Sequence, residues 1–185
     1  VCNERNLGYA ASNNRGAAAA RGEFLLLLNN DLVFLPGWLE PMLELVNRGK
    51  ADLAGNVQLS VRTRQVDHAG IFFDPAGSPV HFRPPLAFLS GREMIEAPAV
   101  TGACLLLRRS RFLEAGGFDE GYANGYEDID LCLRMRSRGH RVAVAARSIV
   151  YHYIGATEGR HDHDDRNAVR FETRWGTFAR ELAER

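Results

Sequence analysis

Lysine is almost missing from this chain. Lys50 is the only one, so arginine supplies 22 of the 23 basic residues. The 23 acidic residues cancel them and leave a formal net charge of +0. A balanced chain lacks the one-signed surface that a nucleic-acid groove or an electrostatic membrane anchor needs. Cysteine is scarce as well. Cys2, Cys104 and Cys132 are odd in number and have no paired spacing, which argues against a disulfide scaffold and for a reducing, cytoplasmic setting. Cys104 and Cys132 sit in apolar runs and read as buried thiols. No apolar run approaches membrane-spanning length; residues 24–28 and 103–107 are strand-sized. No signal peptide is read in the opening residues, and no internal repeat or low-complexity tail. Val1 already reads as part of a strand, so the chain reads as one entered partway through a domain.

What is present describes one α/β domain. With 185 residues, 45% hydrophobic and 25% charged, the chain can bury a real core. Residues 9–21 are Ala-rich and predict a helix, weakened by Gly16 and ended by Gly22. Residues 23–28 form a continuous apolar run, the pattern of a strand buried on both faces of a parallel sheet. A helix is predicted over 36–47, with Pro36 in its first turn. Residues 52–61 and 65–73 predict two strands, and 74–91 a long irregular loop of the kind that often forms a lid or binding loop. A strand over 97–107 follows, then a short helix capped by Ser110 and stopped at Gly116-Gly117. A helix runs from 126 or 127 to 138, and short strands cover 141–145 and 148–153. A final amphipathic helix spans 164–184, anchored by Val169, Trp175, Phe178 and Leu182. Alternating strands and helices imply a mostly parallel sheet flanked by helices. Ligands of such sheets bind beyond the carboxyl ends of the strands.

Several segments carry chemistry. Asn29-Asn30-Asp31 ends the apolar run and puts a carboxylate at the sheet rim. Taken alone it is either a turn, since Asn and Asp favour turns, or a hard oxygen ligand for Mg²⁺ or Mn²⁺ on a diphosphate. In Thr101-Gly102-Ala103, Gly102 permits close backbone approach. Arg108 and Arg109, further along, either contact phosphate or end a strand and pair with an acid. Glu127, Asp128 and Asp130 crowd a helix N-terminus, where the macrodipole favours negative charge. They read as caps or as a catalytic cluster. His152 follows behind a helix and two short strands; it is either a satisfied core residue or a ligand. His161-Asp162-His163-Asp164-Asp165 lacks a zinc spacing. It reads as a solvated loop, with closure over a donor site as the sharper alternative.

The order of these segments resembles family 2 glycosyltransferases over roughly residues 3–155. The resemblance rests on Asn6-x-Gly8, Asn14-x-Gly16, Ala20, Gly22-Glu23, four leucines before Asn29-Asn30-Asp31, Thr101-Gly102-Ala103, Gly116-Gly117-Phe118-Asp119-Glu120 and Glu127-Asp128-Ile129-Asp130-Leu131. Each motif is weak alone; their order is specific. It implies a single, partial GT-A-like domain, similar to bacterial rhamnosyltransferases, whose nucleotide-binding first strands have no counterpart before Val1. Asn29-Asn30-Asp31 matches the Asp-x-Asp-type motif, with Asn29 in place of the frequent first Asp and Asp31 at the metal-binding position. His152 matches a second metal ligand, and imidazole beside carboxylate favours Mn²⁺. Asp128 matches the catalytic base, Glu127 a neighbour that places the acceptor or the loop, and Asp130 a brace. Asn6, Asn14, Asn29, Asn30, Gly102 and Ala103 match positions around the nucleotide sugar, although Asn6 and Asn14 are equally residues that cap a turn or helix.

The implied activity is inverting, metal-dependent transfer from a nucleotide-sugar donor to a saccharide or lipid-linked saccharide, for cell-surface polysaccharide. The implied location is cytoplasmic, at the inner membrane face when the protein is full length. Two other classes stay open: a silent binding or assembly module, and a sugar nucleotidyltransferase. The second would need a Gly-rich phosphate loop with a lysine, and Lys50 has no such context. A strand at 24–28 without upstream partners predicts self-association through an exposed sheet edge.

Overall fold

The computed structural model describes residues 2–153 and 164–184. Residues 161–163 of the acidic and histidine-rich segment lie outside the described residues.

The chain opens with α1 (Gly8–Ala19), β1 (Phe24–Leu28), β2 (Leu32–Phe34), α2 (Glu40–Asn47), β3 (Leu53–Ser60), β4 (Val66–His68), β5 (Ile71–Phe73) and β6 (Pro79–His81). It continues with α3 (Leu86–Leu89), β7 (Met94–Glu96), β8 (Cys104–Arg108), α4 (Arg109–Glu114), α5 (Glu127–Arg136), β9 (Val142–His152) and α6 (Asp164–Ala183). The main sheet has the order β1-β8-β3-β9-β2; β4 pairs with β3 and β7 with β9, while β5 and β6 form a separate hairpin.

The α/β layering is as expected, but the sheet is mixed rather than mostly parallel. Among the described residues only β3 and β9 pair in parallel; β1–β8, β3–β8, β2–β9, β3–β4 and β7–β9 are antiparallel. The apolar run of β1 reports cover on both faces, not strand direction. Leu25 and Leu27 join the larger core, which includes residues of α1, α4, α5 and α6. Phe24 and Leu26 turn to the smaller core under Met42, Leu45 and Val46 of α2.

Other boundaries moved for local reasons. The strand expected over 65–73 is two strands, broken at Gly70, whose φ is +116°. The loop expected over 74–91 holds β6 and α3. The strand expected over 97–107 is regular only at β8, and residues 101–103 pair in no ladder. The two short strands near the end are one strand, β9. Its register against β3 jumps between Asn56 and Val57, whose partners are Ala145 and Ile149, so the intervening residues bulge. α2 begins at Glu40, with Pro41 in its first turn, not at Pro36. In α6, Val169 is 68% exposed and anchors nothing. Phe171 and Ala179 are its buried apolar side chains, with Trp175, Phe178 and Leu182 packed at the core margin. Cys104 and Cys132 are buried free thiols, and burial pushes both up to about 12. Among the described residues no helix is long and apolar enough to cross a membrane.

Candidate active site

Three chain segments converge at one rim of the sheet. The first is the turn after β1. Asn29 donates its backbone N–H to the carbonyl of Ala103 at 2.9 Å, which joins this turn to residues 101–103. In β2, Leu32 pairs with His152 of β9, so Asp31, one residue earlier, falls against that imidazole. Asp31 Oδ1 lies 3.2 Å from His152 Nε2. The contact is close but not aligned as a hydrogen bond, and Asp31 Oδ1 is buried without a hydrogen-bond partner among the described residues. A buried carboxylate oxygen left open beside an imidazole nitrogen is a donor pair suited to a divalent cation. Among the described residues no third His, Cys, Asp or Glu completes such a cluster. A cation here would draw its other ligands from phosphate and water, the usual manner of Mg²⁺.

The second segment is Thr101-Gly102-Ala103. Gly102 donates its N–H to Asp128 Oδ2 at 2.6 Å, and its carbonyl accepts the Tyr9 hydroxyl at 2.6 Å. A Cβ on Gly102 would stand 2.7 Å from Tyr9 Oη and 3.3 Å from Asp128 Cβ. The glycine is therefore required by Tyr9 and Asp128 themselves. Burial, then the charges of Asp128 and Glu127 and the field of Cys104, hold the Tyr9 phenol well above its ordinary value. Tyr9 is thus a neutral donor.

The third segment is the start of α5. Tyr126 precedes the helix in the left-handed region, φ +71°, and Asn124 is there too at +54°. Such backbone is uncommon for residues with side chains and is held by its surroundings. Glu127 does part of this: its Oε2 accepts the Gly125 N–H at 2.6 Å. Asp128 Oδ1 accepts the Ile129 N–H at 2.8 Å, so its carboxylate is oriented by two backbone amides. Asp130 turns away into the core. It accepts Arg134 Nε at 2.7 Å and Trp175 Nε1 at 2.8 Å, bracing α5 against α6.

A cleft of about 150 Å³ opens between these segments, lined by Tyr9, Asn29, Gly102, Glu127, Asp128 and His152, among others. Of the residues singled out from sequence, Asn29, Gly102, Ala103, Glu127, Asp128 and His152 meet there, and Asp31 reaches it through His152. Asn6, Asn14 and Asn30 are not in its wall. Asn6 Oδ1 accepts the Gly8 N–H at 2.9 Å in a local turn. Asn14 both donates to and accepts from the Phe118 backbone, at 2.9 and 2.8 Å, tying α1 to the turn before α5. Asn30 is exposed. Arg108 pairs with Glu23, and Arg109 Nε points to the Ala17 carbonyl at 3.4 Å; neither faces the cleft. Sequence reasoning missed Tyr9 and Asn124. The only signal for Tyr9 was that a buried phenol needs a partner.

The family model for "Glycosyl transferase family 2" matches residues 1–114. The O-antigen biosynthesis protein RfbC of Myxococcus xanthus is 34% identical over 160 residues, covering 80% of this chain and 12% of that protein. The uncharacterized protein y4gI of Sinorhizobium fredii is 30% identical over 172 residues, 89% of this chain and 19% of that one. The N-acetylglucosaminyl-diphospho-decaprenol L-rhamnosyltransferase of Mycobacterium tuberculosis is 28% identical over 180 residues, 84% of this chain and 58% of the relative. This chain thus spans only part of each relative's length. Among solved structures, GalNAc-T7 with UDP, GalNAc and Mn²⁺ superposes with a TM-score of 0.70 at 19% identity, over 92% of this chain and 35% of that one. The likeness is one of fold, and the fold is the GT-A-like α/β arrangement expected from sequence.

Proposed function

The chain belongs to glycosyl transferase family 2, and on that premise we propose that it moves a sugar from a nucleotide-sugar donor to a saccharide or lipid-linked saccharide hydroxyl, with inversion, in cell-surface polysaccharide synthesis. One observation carries the reading. Asp128 lines the cleft with its carboxylate held by the Gly102 and Ile129 amides. Each carboxylate oxygen has two acceptor sites, so one amide on each still leaves room for an incoming hydroxyl.

Asp128 accepts the acceptor's hydroxyl proton as the oxygen bonds to the anomeric carbon. The bond from that carbon to the leaving diphosphate breaks on the opposite face, and the electron pair leaves with the diphosphate. Glu127 takes no proton in this scheme; it holds the 124–126 loop through Gly125. Asp31 and His152 would hold Mn²⁺ or Mg²⁺, which when bound supplies positive charge to the departing diphosphate. Asn29, Gly102 and Ala103 form the wall on the donor side. The UDP, GalNAc and Mn²⁺ of the GalNAc-T7 structure, and the diphospho-decaprenol in the mycobacterial relative's name, support a nucleotide-sugar donor and a lipid-linked acceptor. The two buried free thiols support a cytoplasmic site for the reaction.

Asp128→Asn in the full-length protein, incubated with a panel of nucleotide sugars and read by mass spectrometry, tests this. Loss of a general base lowers turnover by about 10²–10⁴-fold. Near-normal turnover of a folded Asp128→Asn protein removes Asp128 as the base.

A further inference from the structure

Beside the cleft lies a pair of histidines that the reaction as described leaves unused. His68 ends β4 and His81 ends β6. Their Nδ1 atoms are 3.0 Å apart, and the rings meet edge to face. On its other side, His68 Nε2 receives the backbone N–H of Thr101 at 3.4 Å. His68 is 1% exposed.

These contacts admit one pair of tautomers. A neutral imidazole has one donor and one acceptor nitrogen. The Thr101 N–H can only donate, so His68 Nε2 carries no proton. The proton of His68 is then on Nδ1 and is donated to His81 Nδ1. His81 therefore accepts there and carries its own proton on Nε2. Burial, followed by the fields of His81, His152 and Arg83, holds His68 well below the ordinary histidine value, so the ring is neutral as this arrangement requires.

What the pair holds matters more than the pair itself. Residues 101–103 belong to no strand or helix, so no ladder fixes their backbone. Successive peptide units are instead fixed one at a time by different elements. The Thr101 N–H goes to His68 of β4, the Gly102 N–H to Asp128 of α5, and the Gly102 carbonyl to Tyr9 of α1. The Ala103 carbonyl goes to Asn29 at the end of β1. The first of these attachments sits directly before the peptide that orients Asp128.

We propose that His68, oriented by His81, is a positioning residue for glycosyl transfer: it fixes the Thr101 amide and so the Gly102 peptide on which the Asp128 carboxylate is held. The inference rests on the reading of Asp128 as the base. Leucine at 68 keeps the approximate bulk and removes the acceptor; glutamine restores an acceptor oxygen. In the full-length protein, His68→Leu is expected to lower kcat by about 10- to 100-fold with donor KM changed by no more than about twofold, and His68→Gln to recover most of the loss. Amide hydrogen exchange at Thr101 and Gly102 rises in His68→Leu and stays slow in His68→Gln. The ¹⁵N spectrum of the unsubstituted protein shows His68 protonated at Nδ1 and bare at Nε2.

Full turnover with unchanged exchange in His68→Leu overturns the proposal, as does a protonated Nε2, which needs no variant to fold. If Asp128→Asn is inactive while His68→Leu is fully active, the positioning role falls and the base stands. If Asp128→Asn stays active, the base reading falls, and the link from His68 to catalysis falls with it.

Discussion

Replacing Gly102 by alanine adds one methyl group at the point where three elements meet. The added Cβ would stand 2.7 Å from Tyr9 Oη, 3.1 Å from Tyr9 Cζ and 3.3 Å from Asp128 Cβ. Ordinary contact begins at 3.4 Å, so the Tyr9 hydroxyl must retreat by about 0.7 Å. Tyr9 has little room to do so, because its ring packs on Phe118 with centroids 5.3 Å apart. Overpacking of this kind costs about 1–3 kcal/mol. The retreat also lengthens and weakens the hydrogen bond from Tyr9 to the Gly102 carbonyl, within that range, and shifts the peptide that holds Asp128. A misplacement approaching 1 Å at a reacting group can lower turnover by about 100-fold. Removing the hydroxyl as well separates the two effects. Tyr9→Phe alone loses about 1 kcal/mol, the worth of one hydrogen bond. Combined with Gly102→Ala it removes the worst contact, so the double variant is less destabilised than the two single losses added together. Denaturant midpoints for the four proteins, at constant slope, give the coupling. Additive losses, or an alanine variant with unchanged stability and turnover, would refute the claim that Tyr9 and Asp128 require glycine here.

Asp31→Ala and His152→Ala should each weaken Mn²⁺-dependent nucleotide binding by about 10-fold or more, because each removes one of the two protein donors; calorimetry that finds both variants unchanged would reverse the metal assignment. β1 ends the strand order, leaving one row of its backbone groups without a neighbouring strand among the described residues, and its last residue, Leu28, is 38% exposed. This chain should therefore self-associate with rising concentration, and light scattering that stays at monomer mass across the range would exclude it.

Local signals carried much of the fold. The run Leu25–Leu28 ended in polar residues, and that alone marked a buried strand meeting the sheet rim. The period of residues 127–136 marked α5, and Gly139 its end. Strand direction was not legible, since apolar composition records burial and not polarity of the chain; hence the mixed sheet. Nor was the bulge in β9, where Ser148 hydrogen-bonds the Trp38 carbonyl, a partner distant in sequence. At the site, the legible residues were those at the ends of elements: Asn29 after β1, Asp128 at the start of α5, His152 at the end of β9. Tyr9, His68 and His81 were not: Tyr9 and His68 act through long-range hydrogen bonds to backbone and His81 through the His68 ring, and neither side chain nor spacing announces such contacts. Asn14 shows the converse. A residue in a family-like position has its amide engaged by the Phe118 backbone and is not part of the cleft wall.

Helix-start chemistry alone does not separate the three carboxylates of α5, to which the family resemblance gave different roles; helical geometry does separate them. Glu127 and Asp130 are three residues apart and both buried, but Glu127 reaches the cleft wall, as does Asp128, rotated about 100° from it, whereas Asp130 does not. Asp130 is 0% exposed, and Arg134 beside it is 8% exposed and also donates to the Ala115 and Gly117 carbonyls. The Asp130–Arg134 pair thus ties α5 to the turn before it and, through Trp175 and Arg174, to α6. Breaking one partner of a buried pair costs about 3–5 kcal/mol, since the other is left charged and unmatched. In Asp130→Asn the amide cannot accept from Arg134 and Trp175 on both sides, so this variant should lose stability on that scale. Asp128→Asn gives up one favourable charge and one of its two backbone hydrogen bonds at a helix start that faces an open cleft, about 1–2 kcal/mol. Stability and turnover therefore rank the two substitutions in opposite order: Asp130→Asn melts earlier, and whatever remains folded retains the base, whereas Asp128→Asn loses less stability and does not turn over. Thermal unfolding and single-turnover rates measured on both proteins test the division. Equal loss of stability in the two would mean that Asp128 is a structural cap like its neighbours, and the cleft would be left without its base.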